Sequence, residues 1–307
     1  MDSEISFIQG DACVRSDLEK CGTDFEAIIH FAGTSSAPMF TNDPSSPKSE
    51  DDNELRRDKE DSNFVWGYEN AVKSFVQVLD FAADIGAKKV LYASTSSLYG
   101  NNPMPLTEDQ KVTPPNHYAV TKFLYENCAR CFCQVHKDID VVGFRFMSIY
   151  GPNEEAKGQY ANMISQFLWD IARDRPPVIY GDGTQFRDFT NVVDVVQALT
   201  KTIEFLEPLG AKVFNIGRGE STSFNDIFAQ INEALGKNVV PIFIPNPVKE
   251  MYVAGQHADI SKIQKKLGFN PTMDLEKGIA QLVDQLDLSR LRDTSSDLWK
   301  KSHPDKF

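Results

Sequence analysis

The stretch from Tyr92 to Lys122 limits most strongly what this chain can become. It is entered through Lys89-Val90-Leu91-Tyr92-Ala93, an apolar run with the length of a buried strand, which passes directly into Ser94-Thr95-Ser96-Ser97. A strand that ends in small hydroxyl residues puts Thr95 at a carboxyl end, where open α/β sheets gather their ligands. Pro114-Pro115-Asn116 then halts one segment and starts a helix, with Asn116 at the N-cap. On that helix Tyr118 and Lys122 stand one turn apart and share a face.

The spacing suggests proton chemistry. A free phenol, with a pKa of about 10, is a poor base at neutral pH. A lysine ammonium one turn away is expected to favour the phenolate and lower that value. The Thr95 hydroxyl can bond the same reacting oxygen. Together the three can move a proton on or off an alcohol.

This run, with the downstream motifs Tyr150-Gly151-Pro152 and Gly181-Asp182-Gly183-Thr184-Gln185-Phe186-Arg187-Asp188-Phe189, resembles the extended short-chain dehydrogenase/reductase family, the NAD-dependent nucleotide-sugar epimerases and dehydratases. The resemblance runs from Phe7 to about Val283. It implies a Rossmann-like, doubly wound parallel α/β sheet with a small C-terminal substrate lobe. It also implies a catalytic triad of Thr95, Tyr118 and Lys122, with Tyr118 and Lys122 also against the cofactor, NAD or NADP. Residues 1–150 are then the dinucleotide-binding part, 151–290 mainly the substrate lobe with returning Rossmann elements, and 291–307 a peripheral tail.

Further site residues follow from the same resemblance. Ile5 to Asp11 reads as a short strand ending in Gly-Asp, and Asp11 matches an aspartate that contacts adenine. Ala27 to Gly33 is a second buried strand, whose end at Ala32 passes beside the cofactor. Ser148 stands where asparagine often faces the substrate. Glu154-Glu155-Ala156-Lys157-Gly158 is similar to a loop of ADP-heptose 6-epimerases, which makes Lys157 a second acid/base. Arg187 matches the arginine that holds the nucleotide diphosphate, a role that suits a guanidinium fork; the competing structural role is a pair with Asp188.

One element is missing from the sequence. A dinucleotide fold opens with a strand, a glycine-rich turn and a helix whose N-terminus takes the pyrophosphate. No such turn occurs among the 307 residues. The chain is therefore expected to enter the fold at its third strand, without the first two, and to bind the dinucleotide poorly as it stands. The acid that separates NAD from NADP would lie in that absent part.

Other elements read in order. Ser16 to Glu19 has the pattern of a capping box, and Asn42 to Asn63 is a polar, charged loop. Helical periodicity covers Tyr68–Ile85 and Val192–Leu206, and Ser221-Thr222-Ser223 precedes another helix through Leu235. Cys128, Cys131 and Cys133 read as small helix residues rather than metal ligands.

A net charge of −12 argues against nucleic acid and anionic membranes as partners. Five cysteines without framework spacing suit a reducing cytoplasm. No apolar run is long enough to span a bilayer. A homodimer through Tyr68–Ile85 and Tyr118–Val135 is expected from the resemblance. Of the alternative activities, a dehydratase of this family carries Asp-Glu directly after the threonine, where this chain has Ser96-Ser97. A reductase or dehydrogenase would use the same triad. A non-enzymatic binding protein is the reading that the missing turn favours.

Overall fold

The computed structural model describes residues 5–33, 63–246 and 253–304, which form two compact units. The first comprises residues up to Gly100 together with Val112–Arg145 and Leu206–Phe214; the second comprises Asn101–Lys111, Phe146–Phe205 and everything from Asn215. The chain thus passes between units several times. The main run of the second unit begins at Phe146, and a short stretch after Leu206 returns to the first unit.

In the first unit α1 (Arg15–Glu19) precedes β1 (Ala27–His30), α2 (Asn63–Ile85), β2 (Lys89–Thr95), α3 (His117–Val135) and β3 (Asp140–Phe146). The four-stranded sheet runs β1, β2, β3 and then Val213–Ile216, with β1 parallel to β2 in the register Ala27 to Lys89. Sequential strands joined by helices give this parallel layering. The core is aromatic: Phe75 of α2 stacks on Tyr125 of α3 at 4.3 Å, and Tyr92 of β2 lies 4.9 Å from Phe75. Gly143 on β3 makes room for Tyr92, since a Cβ there would come within 2.5 Å of its ring.

Two expectations for the start of the chain fail. Residues 5–10 form no strand, and Ile5 and Phe7 are almost fully exposed. An extended segment becomes a strand only by pairing, and the described residues offer it no partner. The Ser16 capping box is absent as well: α1 starts from Val14 without a side-chain cap. Asp17 instead accepts the Asp11 backbone N–H at 2.9 Å. The polar loop, apart from Asn63, lies outside the described residues.

The second unit is built from small sheets and helices. Ser148–Tyr150 pairs in parallel with Phe189–Asn191, Val178–Tyr180 in parallel with Ile242–Ile244, and Phe186–Arg187 antiparallel to Thr222–Ser223. Ile164, Phe167, Ile227, Ile231 and Ile279 form its core. The helix Phe224–Leu235 starts at Ser223, which accepts the Asp226 N–H, and stops at Gly236 in the left-handed region.

The C-terminal tail, read as peripheral, carries a helix, Ser295–Ser302, that opens with a capping box between Thr294 and Asp297. Thr294 is fully buried and donates its hydroxyl to Asp170 at 3.0 Å. Burial, then repulsion from Asp297, pushes Asp170 up to about 6. Its folded pKa lies above the ordinary 3.8. Stability therefore falls as pH rises through that window, and the whole cost is present above it. Asp170→Asn is expected to raise stability at pH 7.5 by roughly 1–3 kcal/mol, with the gain shrinking at pH 4.5. Urea unfolding of the two proteins at both pH values measures this, and an equal gain at both would contradict it.

Candidate functional site

The first unit brings Thr95, Tyr118 and Lys122 together. Thr95 ends β2 and caps the short 3-10 turn Ser96–Tyr99; its Oγ1 accepts the Ser97 N–H at 3.1 Å. One lone pair is thereby engaged, and the hydroxyl proton remains to donate. Asn116 starts α3 by accepting the Ala119 N–H at 2.9 Å, which fixes the first turn bearing Tyr118. Burial pushes the Tyr118 phenol above its usual value, and a hydrogen bond shared with Thr95 pulls it partly back.

Lys122 is 4% exposed. Its Nζ lies 5.9 Å from the Tyr118 ring centroid and 4.5 Å from that of Tyr125. The expected lowering of the phenol by this ammonium is not found. The contacts of the cation are with ring faces, and desolvation of the phenol is the larger effect. The lysine itself is the perturbed base, brought down to about 8 by burial.

The aromatic support beneath Lys122 was not read from the sequence. Tyr125 stacks on Phe75, donates its hydroxyl to the Ala71 carbonyl at 2.8 Å and offers its face to the ammonium. His30 of β1 lies 5.7 Å from Tyr125, has no hydrogen-bond partner at Nε2 among the described residues, and is held neutral by burial and by Lys122, down to about 4. The spacing of Tyr118, Lys122, Tyr125 and Ala129 along one helix face was the available signal.

Asp11 is half-buried. Its Oδ1 accepts the Cys13 N–H at 2.8 Å, which closes a turn. Ala32 is exposed just past β1.

In the second unit Ser148 opens its strand and gives its N–H to the Asp188 carbonyl at 3.0 Å. Arg187 does not pair with Asp188. Its guanidinium donates to the Phe186 and Ala254 carbonyls and lies 5.7 Å over Phe224, while the buried Asp188 carboxylate accepts the N–H groups of Arg218 and Gly219. Lys157 is exposed and 3.0 Å from Glu154. Glu154 is 7% exposed and also accepts from Ser165 and Asn162. A cavity of about 310 Å³ in this unit is lined by Asn153, Glu154, Glu155, Trp169 and Arg290 among others, and by none of the three triad residues.

A strand-end hydroxyl, a half-buried phenol and a lysine of lowered pKa thus meet at the carboxyl end of an inner strand of a parallel α/β sheet, a set of groups able to move a proton. Residues 60–217 match the model of the NAD dependent epimerase/dehydratase family, and the chain belongs to that family. It is 32% identical over 222 residues to a UDP-glucuronate 4-epimerase of Thermodesulfobacterium geofontis, an alignment that covers 71% of this chain and 66% of that enzyme. Among solved structures it resembles the UDP-glucuronic acid 4-epimerase of Bacillus cereus in complex with UDP-glucuronic acid and NAD. The identity there is 25% and the TM-score 0.72, covering 87% of this chain and 77% of that one. It also resembles the ADP-L-glycero-D-manno-heptose-6-epimerase of Helicobacter pylori, with 25% identity and a TM-score of 0.73 over 90% and 77% of the two chains.

Proposed function

We propose that this protein is an NAD-dependent nucleotide-sugar epimerase. The observation that carries the reading is the meeting of Thr95, Tyr118 and Lys122 within the first unit of a chain of this family. The residues suit the nicotinamide riboside end of the dinucleotide: Lys122 is a buried ammonium whose burial is offset by ring faces, and the nearby His30 Nε2 has no hydrogen-bond partner among the described residues. The dinucleotide, when bound, supplies a reversible hydride acceptor.

The chain's own residues manage the proton. Tyr118, in its phenolate form, takes it from a sugar hydroxyl and, as the phenol so formed, returns it. Thr95 donates its hydroxyl to the same oxygen, and Lys122 holds the ribose and sets the local charge. Asp11 and the backbone at Ala32 serve the adenosine side. Arg187 is assigned to the diphosphate, Ser148 to the sugar, and Lys157 to a second acid/base role. Arg187 donates to the Phe186 and Ala254 carbonyls, while the Asp188 carboxylate is taken by backbone N–H groups, so the competing pair with Asp188 is not the role its guanidinium has. Elimination of water is disfavoured because Ser96 and Ser97 supply no carboxylic acid.

We read the protein as a cytoplasmic homodimer. All five cysteines are free, and α2 presents Val65 and Val76 to solvent. Among the described residues no helix is long and apolar enough to cross a membrane. Incubation with NAD and a panel of UDP- and ADP-sugars, followed by proton NMR of the sugar ring, tests the activity. A new epimer with no net NADH is expected. Because the missing glycine-rich turn predicts weak dinucleotide binding, NAD occupancy is first established by calorimetry; net accumulation of NADH, a keto sugar, or no conversion of any member by NAD-loaded protein would overturn the epimerase reading.

A further inference from the structure

A buried ion pair in the first unit ties together the elements that carry the triad. Glu126 and Arg145 are 1% and 5% exposed in their side chains. Arg145 donates Nε to Glu126 Oε1 at 2.9 Å and a terminal nitrogen to Oε2 at 2.8 Å, a bidentate fork. Ser94, itself 2% exposed, donates its hydroxyl to the same Oε1 at 2.7 Å. The Arg145 guanidinium also lies 4.9 Å over the Tyr99 ring.

The placement of these four residues in the fold gives the cluster its meaning. Ser94 immediately precedes Thr95 on β2. Tyr99 closes the turn that Thr95 caps. Glu126 stands one turn after Lys122 on α3, and Arg145 is near the end of β3. One carboxylate and one guanidinium therefore join the segment carrying Thr95 to the helix carrying Tyr118 and Lys122. Burying two charges is expensive, and an apolar pair of similar volume often stabilises a fold as well or better. Directional bonds add what apolar packing lacks, a fixed distance and register between two elements.

We propose that Ser94, Glu126 and Arg145 form a positioning clamp that holds the Thr95 hydroxyl in reach of Tyr118 and of the reacting oxygen. The inference rests on the triad reading above. The clamp touches neither sugar nor dinucleotide. Its effect reaches the reaction through Thr95.

Ser94→Ala removes only the hydroxyl link and leaves the ion pair in place. It is expected to lower kcat about tenfold, with KM and NAD affinity unchanged, and Ser94→Thr is expected to restore most of the rate. In a Thr95→Ala background the same change should cost less than twofold, because residues that act through one another are not additive. A second readout is independent of turnover: the Ser97 amide, bonded to Thr95 Oγ1, should exchange with solvent several-fold faster in Ser94→Ala. Unchanged Ser97 exchange overturns the clamp, as does an equal loss of rate with and without Thr95. If Tyr118→Phe is fully active, the triad assignment fails instead, and the exchange result still decides whether Ser94 holds Thr95.

Discussion

Tyr118→Phe is expected to lower kcat by about a thousandfold, within the usual 10²–10⁴ contribution of a positioned acid/base. The ring stays, so Lys122 keeps its contact at 5.9 Å, and α3 keeps the Asn116 cap. The thermal midpoint and NAD affinity should therefore change little, and kcat and kcat/KM should fall together, as when a contact made only in the transition state is lost. Steady-state kinetics with a converted nucleotide sugar, together with calorimetric NAD titration, measures both. A loss confined to KM would mean that Tyr118 binds the sugar and moves no proton.

The second large effect concerns Lys122. Its pKa is lowered from 10.5 to about 8 by burial. Above about pH 8 the unfolded chain holds a proton that the folded chain has lost, so this residue makes stability rise with pH between those two values. Below that window the cost of the buried cation is fully present, at roughly 3 kcal/mol before the ring contacts offset part of it. Lys122→Met is thus expected to be more stable than the parent by about 1–3 kcal/mol at pH 7, with the gap falling under about 1 kcal/mol at pH 10. Activity should drop at least a hundredfold at the same time. Other alkaline groups, such as Cys13 at about 11, titrate in both proteins and cancel in the difference. Equal gaps at the two pH values would show that burial of Lys122 is not a cost the fold bears.

Features set by local spacing were readable in the sequence. The end of β2, the Asn116 cap and the one-turn separation of Tyr118 and Lys122 each depend on a few neighbouring residues, and all are present. What depends on distant partners was not readable. Ile5 to Asp11 looked like a strand because alternation is local, whereas pairing is not. The phenol was expected to fall and instead rises, because desolvation comes from the whole packed surround. Arg145 gave no local sign of reaching Glu126; only the packing of α3 against the sheet brings them together. The charged tail seemed peripheral by composition, yet Thr294 is held by Asp170, 124 positions away.

The interleaving of the two units also bears on how the protein is made. The first unit draws on residues as late as Phe214, and the second begins at Asn101. A ribosome that has released everything through Arg145 has therefore not yet delivered the strand Val213–Ile216 that borders β3. At about 5–20 residues per second, β3 waits roughly 3–15 s for that neighbour. Through that interval the nascent sheet ends in an unpaired, wholly apolar edge, Val141-Val142-Gly143-Phe144, of the kind chaperones bind. Slowing translation between Arg145 and Val213 should thus lower the soluble yield more than the same delay placed after Phe214.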